Sequence, residues 1–247
     1  MLRNREQVAL IVPCYNEGHR FNIEHWKALL DITQAIFIFV DDGSNDNTLE
    51  FLEELNSYNS KLVRVLKLGN NKGKAEATRF GLQVALENYT GIELVGYLDA
   101  DTSIEVNDVN RIIRIAQDLN FDVVMGSRVK LLGRRIHRNP VRHVIGRFVV
   151  TTLSFGVSHF PYDSQCGIKV FRATEDFKRI LFEPFRTRWF VDLEIMTSLG
   201  KLSDLKIWEE PLYKWVESGG SRIRFHHSFR IIREIVYIKR VINKKWI

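Results

Sequence analysis

Cysteine is scarce. The 247 residues hold 2, Cys14 and Cys166, far apart and with no CxxC spacing. This argues against a disulfide scaffold and a structural zinc site, and it suits a reducing, cytosolic compartment. Long apolar runs are missing too. The longest uncharged stretch, Phe148 to Tyr162, covers 15 residues and contains Ser, Thr and His, whereas a membrane-spanning helix takes roughly 20 apolar residues. Near the N-terminus only Val8 to Val12 is continuously apolar, too short for a secretory signal core. No GxGxxG follows this run, so a dinucleotide-binding fold lacks support. Gly69-Asn70-Asn71-Lys72-Gly73-Lys74 approaches a P-loop. However, one residue is missing between its glycines, and Ala75 stands where Ser or Thr would take magnesium.

What is present is ordinary for a soluble protein: 45% apolar and 27% charged residues, with length enough for one large domain. The net charge of +6 hides an asymmetry. Residues 1–121 hold 12 Lys/Arg and 18 Asp/Glu; residues 122–247 hold 24 and 12. An acidic half followed by a basic half suggests a cation site in the first and an anionic surface or substrate at the second.

Short apolar runs alternate with helical patterns. Ala9–Val12, Ala35–Val40, Leu62–Leu68, Leu94–Leu98 and Val123–Gly126 read as strands, and residues 23–32, 48–55, 73–86 and 109–119 as helices. Strands this apolar are buried on both faces, as in a mostly parallel sheet flanked by helices. Ligands of such sheets sit beyond the carboxyl ends of the strands. That rule gathers Pro13–Glu17, Asp41–Ser44, Asp99–Asp101 and Gly126–Arg128 on one edge. Asp99-Ala100-Asp101 sets two carboxylates on a sharp turn. This suits a hard cation such as Mg²⁺ or Mn²⁺ carrying a diphosphate, although Asp also serves turns and caps.

Four segments occur in order: Pro13-Cys14-Tyr15-Asn16-Glu17, Val40 to Thr48, Asn71-Lys72-Gly73-Lys74 and Asp99-Ala100-Asp101. With them the chain resembles the inverting family 2 glycosyltransferases of GT-A fold. Gly126-Ser127-Arg128, Asp163 to Phe171, Arg188 to Glu194 and the late Trp215…Glu217…Gly220-Ser221 look like the dolichyl-phosphate β-glucosyltransferase branch.

The resemblance implies a single GT-A domain over 1–247, with a nucleotide-sugar half (1–127) and an acceptor half (128–247). It implies a nucleoside pocket at Pro13, Asn16 and Glu17, with one of Asp41 and Asp42, preferably Asp42, at the base. Lys74 and Ala100 would lie by the nucleotide, and Asp99 and Asp101 would hold the metal. Arg128, Asp192 and Glu194 become catalytic candidates, with Gln165 and Lys169 in the acceptor region. Asp192 and Glu194 stand two apart and do not share a helix face, so at most one would point into the site. The family's membrane helices have no counterpart in this sequence, and Thr102-Ser103-Ile104-Glu105 lacks the proline often found after the acidic motif of bacterial relatives.

The implied reaction moves a hexose, with UDP-glucose as the expected donor, onto a polyprenyl phosphate at the cytoplasmic face of a membrane. Extension of a glycan on a sugar hydroxyl is the alternative acceptor chemistry. A sugar-phosphate nucleotidyltransferase would carry a Gly-rich basic loop where Pro13–Glu17 stands, and a non-catalytic nucleotide-sugar binder would be expected to lose one metal carboxylate.

Between Asp122 and Asp163 lie seven Lys/Arg and no acid. Val141, Val144, Ile145, Phe148 and Phe155 recur at helical spacing, as do Ile231, Ile235, Ile238 and Ile242. Such amphipathic helices suit either an anionic membrane surface or packing on protein, including a second subunit. No nucleic-acid motif accompanies the basic residues. His226-His227 reads as a surface pair.

Overall fold

The computed structural model describes residues 6–155, 160–188, 190–202, 204–216 and 228–241; for 141–143, 145 and 228–230 the description is of backbone only. The expected alternation is present: β1 (Gln7–Cys14), α1 (Ile23–Thr33), β2 (Ile36–Asp41), α2 (Thr48–Tyr58), β3 (Val63–Lys67), α3 (Lys74–Asn88), β4 (Ile92–Leu98), α4 (Val106–Asp118) and β5 (Val123–Ser127). The second half adds β6 (Arg135–His137), α5 (Pro140–Ser154), β7 (Ile168–Arg172), α6 (Glu175–Ile180), α7 (Val191–Gly200), β8 (Ile207–Pro211), β9 (Lys214–Val216) and α8 (Ser228–Val241).

Seven strands form one sheet in the order β3-β2-β1-β4-β7-β5-β8. All pairings are parallel except those of β7, which runs antiparallel between β4 and β5. The sheet therefore draws on both halves of the chain. Successive strand residues point to opposite faces, and both faces are apolar. Leu10, Phe37 and Phe39 join Trp26 of α1 and Leu52 of α2 on one side. Ile11, Ile38 and Val40 join Ala77 and Leu82 of α3 on the other. A separate pair, β6 and β9, lies outside this sheet.

The antiparallel strand was not expected from the sequence. β7 approaches β4 so closely that a Cβ at Gly96 would lie 2.1 Å from the Lys169 carbonyl oxygen, a contact only glycine allows. The C-terminal stripe also differs from the membrane-facing reading. Ile238 is fully buried, and Ile231 and Ile235 pack partly buried against the same core, while Arg233 and Arg240 face outward. Burying the stripe against the protein's own core removes it from any lipid interface. The α5 stripe behaves oppositely: Val144, Phe148 and Phe155 are exposed. Ile242, Lys244, Glu217, Gly220, Ser221, His226 and His227 lie outside the described residues, as do the side chains of Val141, Arg142 and Ile145. Among the described residues no helix is long and apolar enough to cross a membrane.

Replacing Gly96 by Ala should force β4 and β7 apart. We expect a loss of about 1–3 kcal/mol in urea unfolding; an unchanged midpoint would show that the strands shift freely.

Candidate active site

β1 ends at Pro13-Cys14, and Asn16 then takes the left-handed region (φ 49°), which Asn tolerates better than most residues. This turn is tied to the next strand's loop. The Asn16 N–H donates to Ser44 Oγ (3.0 Å), the Asn45 N–H donates to Asn16 Oδ1 (2.9 Å), and the Glu17 N–H donates to Thr48 Oγ1 (2.8 Å). Asn16 thus braces two loops. Glu17 is ion-paired with Arg20, three residues on across a turn.

The two aspartates after β2 part company. Asp41 Oδ1 accepts from the Ser44 N–H (3.2 Å) within its own turn. Asp42 accepts from the N–H groups of Lys72 (2.7 Å) and Gly73 (2.8 Å). Burial pushes the Asp42 carboxyl up despite these donors. Gly73 has φ 95° and starts α3, whose unpaired N-terminal N–H groups favour nearby negative charge.

At the end of β4, Asp99 binds Lys74 Nζ at 2.5 Å. Asp101 Oδ1 accepts from the Ser103 N–H (3.1 Å). Between them and the following chain, Thr102 sits at φ 52°. A β-branched residue held there costs about 1–3 kcal/mol, a strain found most often at functional turns. Burial and the charge of Asp99 raise the Asp101 carboxyl.

These loops enclose a cleft of about 450 Å³. Of the residues expected at the site, Pro13, Glu17, Asp42, Lys74, Asp99, Ala100 and Asp101 line it. Asn16 and Asp41 stand behind it as loop braces. Tyr15, Arg20, Asn71 and Arg188 also line it, and sequence reasoning gave none of them a role. Arg20 could have been found from its i+3 spacing to Glu17. Arg188 lay inside a recognised segment but far along the chain.

The second-half candidates fall into separate clusters. Arg128 makes a two-pronged contact with Asp163 (Nε–Oδ2 2.7 Å, Nη2–Oδ1 2.8 Å), donates to the Gln165 carbonyl and stacks over Trp215 at 5.1 Å. Burial alone would raise Asp163, but the Arg128 guanidinium holds it down at about 2. Lys169, placed by expectation in the acceptor region, is wholly buried. Its ammonium lies 2.9 Å from Asp192 Oδ1 and donates to the Cys166 carbonyl (2.8 Å). Burial pushes Lys169 down to about 7 and Asp192 up to about 7. Gln165 reaches Asp192 Oδ2 from the exposed side (3.2 Å). Glu194 points elsewhere: its carboxylate accepts from the Arg186 N–H, the Thr187 N–H and the Thr187 hydroxyl, at 2.7–2.8 Å.

The sequence pattern of glycosyl transferase family 2 matches residues 9–188. The dolichyl-phosphate β-glucosyltransferase of Dictyostelium discoideum is 30% identical over 94% of this chain and 73% of its own length. A UDP-N-acetylglucosamine–dolichyl-phosphate N-acetylglucosaminyltransferase of Methanococcus voltae is 27% identical over 83% of this chain and 84% of its own. The chain therefore belongs to glycosyl transferase family 2, in its polyprenyl-phosphate glycosyltransferase branch, and is a glycosyltransferase. Its fold is GT-A. Glucosyl-3-phosphoglycerate synthase from Mycobacterium tuberculosis, solved with Mn²⁺, UDP and its product, superposes with a TM-score of 0.60 over 97% of this chain and 77% of that one, at 14% identity.

The Arg128–Asp163 pair carries a stability prediction. Asp163 titrates below its ordinary value, so its contribution is present above about pH 4 and is lost as pH falls through about 2. Asp163→Asn leaves a buried guanidinium unpaired and should cost about 3–5 kcal/mol at neutral pH, with a smaller loss relative to wild type near pH 2. Both are read by circular dichroism during denaturant unfolding.

Proposed function

We propose that this chain transfers a hexose, from UDP-glucose in the first instance, to a polyprenyl phosphate by a single inverting displacement at the anomeric carbon. The first 127 residues bind the nucleotide sugar, and residues 128–247 meet the acceptor.

The observation that carries the acceptor is the engagement of both candidate bases. Asp192 is paired with Lys169, and Glu194 is filled by the Arg186–Thr187 backbone. A sugar hydroxyl would need a free carboxylate to take its proton; a phosphate is already anionic and needs none. A pair of guanidiniums in the acceptor half suits an incoming phosphate. Arg138 shares Asp163 with Arg128, at 3.9 Å, so two guanidiniums face one carboxylate.

Asp99 and Asp101 fit a divalent cation. Burial and mutual repulsion raise Asp101, and a bound cation would relieve that crowding. Two carboxylate oxygens suit Mg²⁺ or Mn²⁺, whose remaining positions go to water and phosphate. The cation would neutralise the charge that grows on the departing diphosphate. Lys74 and the N-terminus of α3 add fixed positive charge on the same side. The manganese and UDP bound by the mycobacterial synthase support this reading. The names of the two relatives support a dolichyl-phosphate acceptor and leave glucose and N-acetylglucosamine as competing sugars.

A membrane surface is the natural place for such an acceptor. Val144 and Phe148 on α5, Phe155 just after it, and Leu131 and Leu132 on the loop after Arg128 are exposed within a stretch rich in Lys and Arg and free of acids. Exposed apolar side chains in a cation-rich stretch of chain suit the cytoplasmic, anionic leaflet.

Purified protein incubated with UDP- and GDP-sugars, Mg²⁺ or Mn²⁺, and either polyprenyl phosphate or sugar acceptors should form a lipid-linked hexose. Transfer only to a sugar hydroxyl overturns the acceptor. Asp99→Asn should lower transfer by about 100-fold or more; full activity would remove the metal assignment. In flotation, vesicles containing anionic lipid should carry the protein and neutral vesicles should carry less; failure to bind either overturns the membrane contact.

A further inference from the structure

Arg188 and Glu194 stand on either side of the start of α7. The segment before α7 runs past the cleft, and Arg188 is its contribution to the lining. The Arg188 guanidinium donates to Asn71 Oδ1 (3.0 Å). It also lies over Gly73, where a Cβ would meet Nε at 2.9 Å. Asp42 accepts from the Lys72 and Gly73 N–H groups of the same turn, so Arg188 packs on the turn that leads into α3. Arg188 has no carboxylate within ion-pair distance among the described contacts, although Asp42 feels its charge. Its cation is thus available to an anionic ligand.

Glu194 sits in the first turn of α7, and its own N–H bonds the Phe190 carbonyl. From there its carboxylate reaches back and takes three hydrogen bonds from Arg186 and Thr187, as a capping residue does for the chain that enters a helix. Its side chain is nearly buried, at 6% exposure. Those bonds fix the two residues immediately before Arg188. The Arg186 guanidinium rests 5.8 Å over the ring of Tyr237 on α8, a second support for the same turn.

We propose that Arg188 binds the nucleoside diphosphate of the donor, and that Glu194 is its positioning residue, acting through the Arg186–Thr187 turn. This rests on the nucleotide-sugar reading of the cleft, and it is independent of the acceptor. A planar guanidinium offers paired donors to phosphate oxygens. Lys74 lines the same cleft, so two cations would meet the diphosphate.

The test is calorimetric binding of UDP and of GDP, with Mn²⁺, to the full chain. Arg188→Gln should weaken whichever nucleotide wild type binds by about 10-fold or more, and Arg188→Lys should recover part of the loss. Glu194→Gln keeps the side chain's shape but presents an amide to donors, and should weaken binding to a lesser degree. Thr187→Val, which removes one of the three bonds, should act in the same direction. The decisive measurement is the double variant Arg188→Gln/Glu194→Gln. If Glu194 works through Arg188, the double variant binds no more weakly than Arg188→Gln alone; a merely structural Glu194 would add its full loss. Unchanged affinity in Arg188→Gln, or strict additivity, overturns the inference while leaving the donor site intact. Failure of wild type to bind either nucleotide overturns the donor reading and this assignment together. Nucleotide binding without transfer to polyprenyl phosphate overturns the acceptor alone.

Discussion

Carboxylates crowd the carboxyl ends of the strands, and the site depends on how each is held. Asp42 is satisfied by two backbone N–H groups, Asp99 by Lys74, Glu17 by Arg20 and Asp163 by Arg128. An unpaired buried charge is too costly to keep, so each acid specifies a neighbour. The loops are consequently fixed by the groups that would meet the substrate. The Asn71–Gly73 turn has its place because Asp42 binds it, and the first loop because Ser44, Asn45 and Thr48 bind it. Pocket shape and pocket charge have the same origin. Asp101 accepts from the Ser103 N–H, and Asp99 and burial together press its carboxyl up.

The antiparallel strand β7 brings the second half of the chain beneath this acidic edge. By lying between β4 and β5 it carries Lys169 into the interior, opposite Tyr97 in register, with Lys169 Nζ 5.5 Å from the Tyr97 ring. Whichever of Lys169 and Asp192 holds the shared proton, the pair has no net charge. The pair is nevertheless felt at the site: Asp192 and Lys74 act on one another, and Lys169 feels Lys74 and Asp99. Gly167, at the mouth of the same strand, leaves room for Asp99: a Cβ there would stand 2.7 Å from Asp99 Oδ2.

The parallel part of the fold was readable because its strands are continuous apolar runs and its loops begin with polar or turn-forming residues. Asp99, Asp101 and Asp42 were readable for the same reason, since strand ends define the ligand edge. Residues whose work is tertiary were not. Nothing near Arg188 in sequence points to Asn71, 117 positions away, and only the folded turn shows that Glu194 spends its carboxylate on backbone. Amphipathic periodicity likewise could not tell α5 from α8. Both carry apolar stripes, but that of α8 is covered by the core and that of α5 is not, a difference set by what packs beside each helix.

The two cysteines offer a practical opening. Both are buried, and burial raises the Cys166 thiol to about 11, which leaves it protonated and unreactive near neutral pH. With only these two in the whole chain, a thiol introduced at fully exposed Leu132 would be the one open to a fluorescent or spin label in the native protein. A reporter on that loop would then respond to its local surroundings alone, with no need to strip the background by mutating the core.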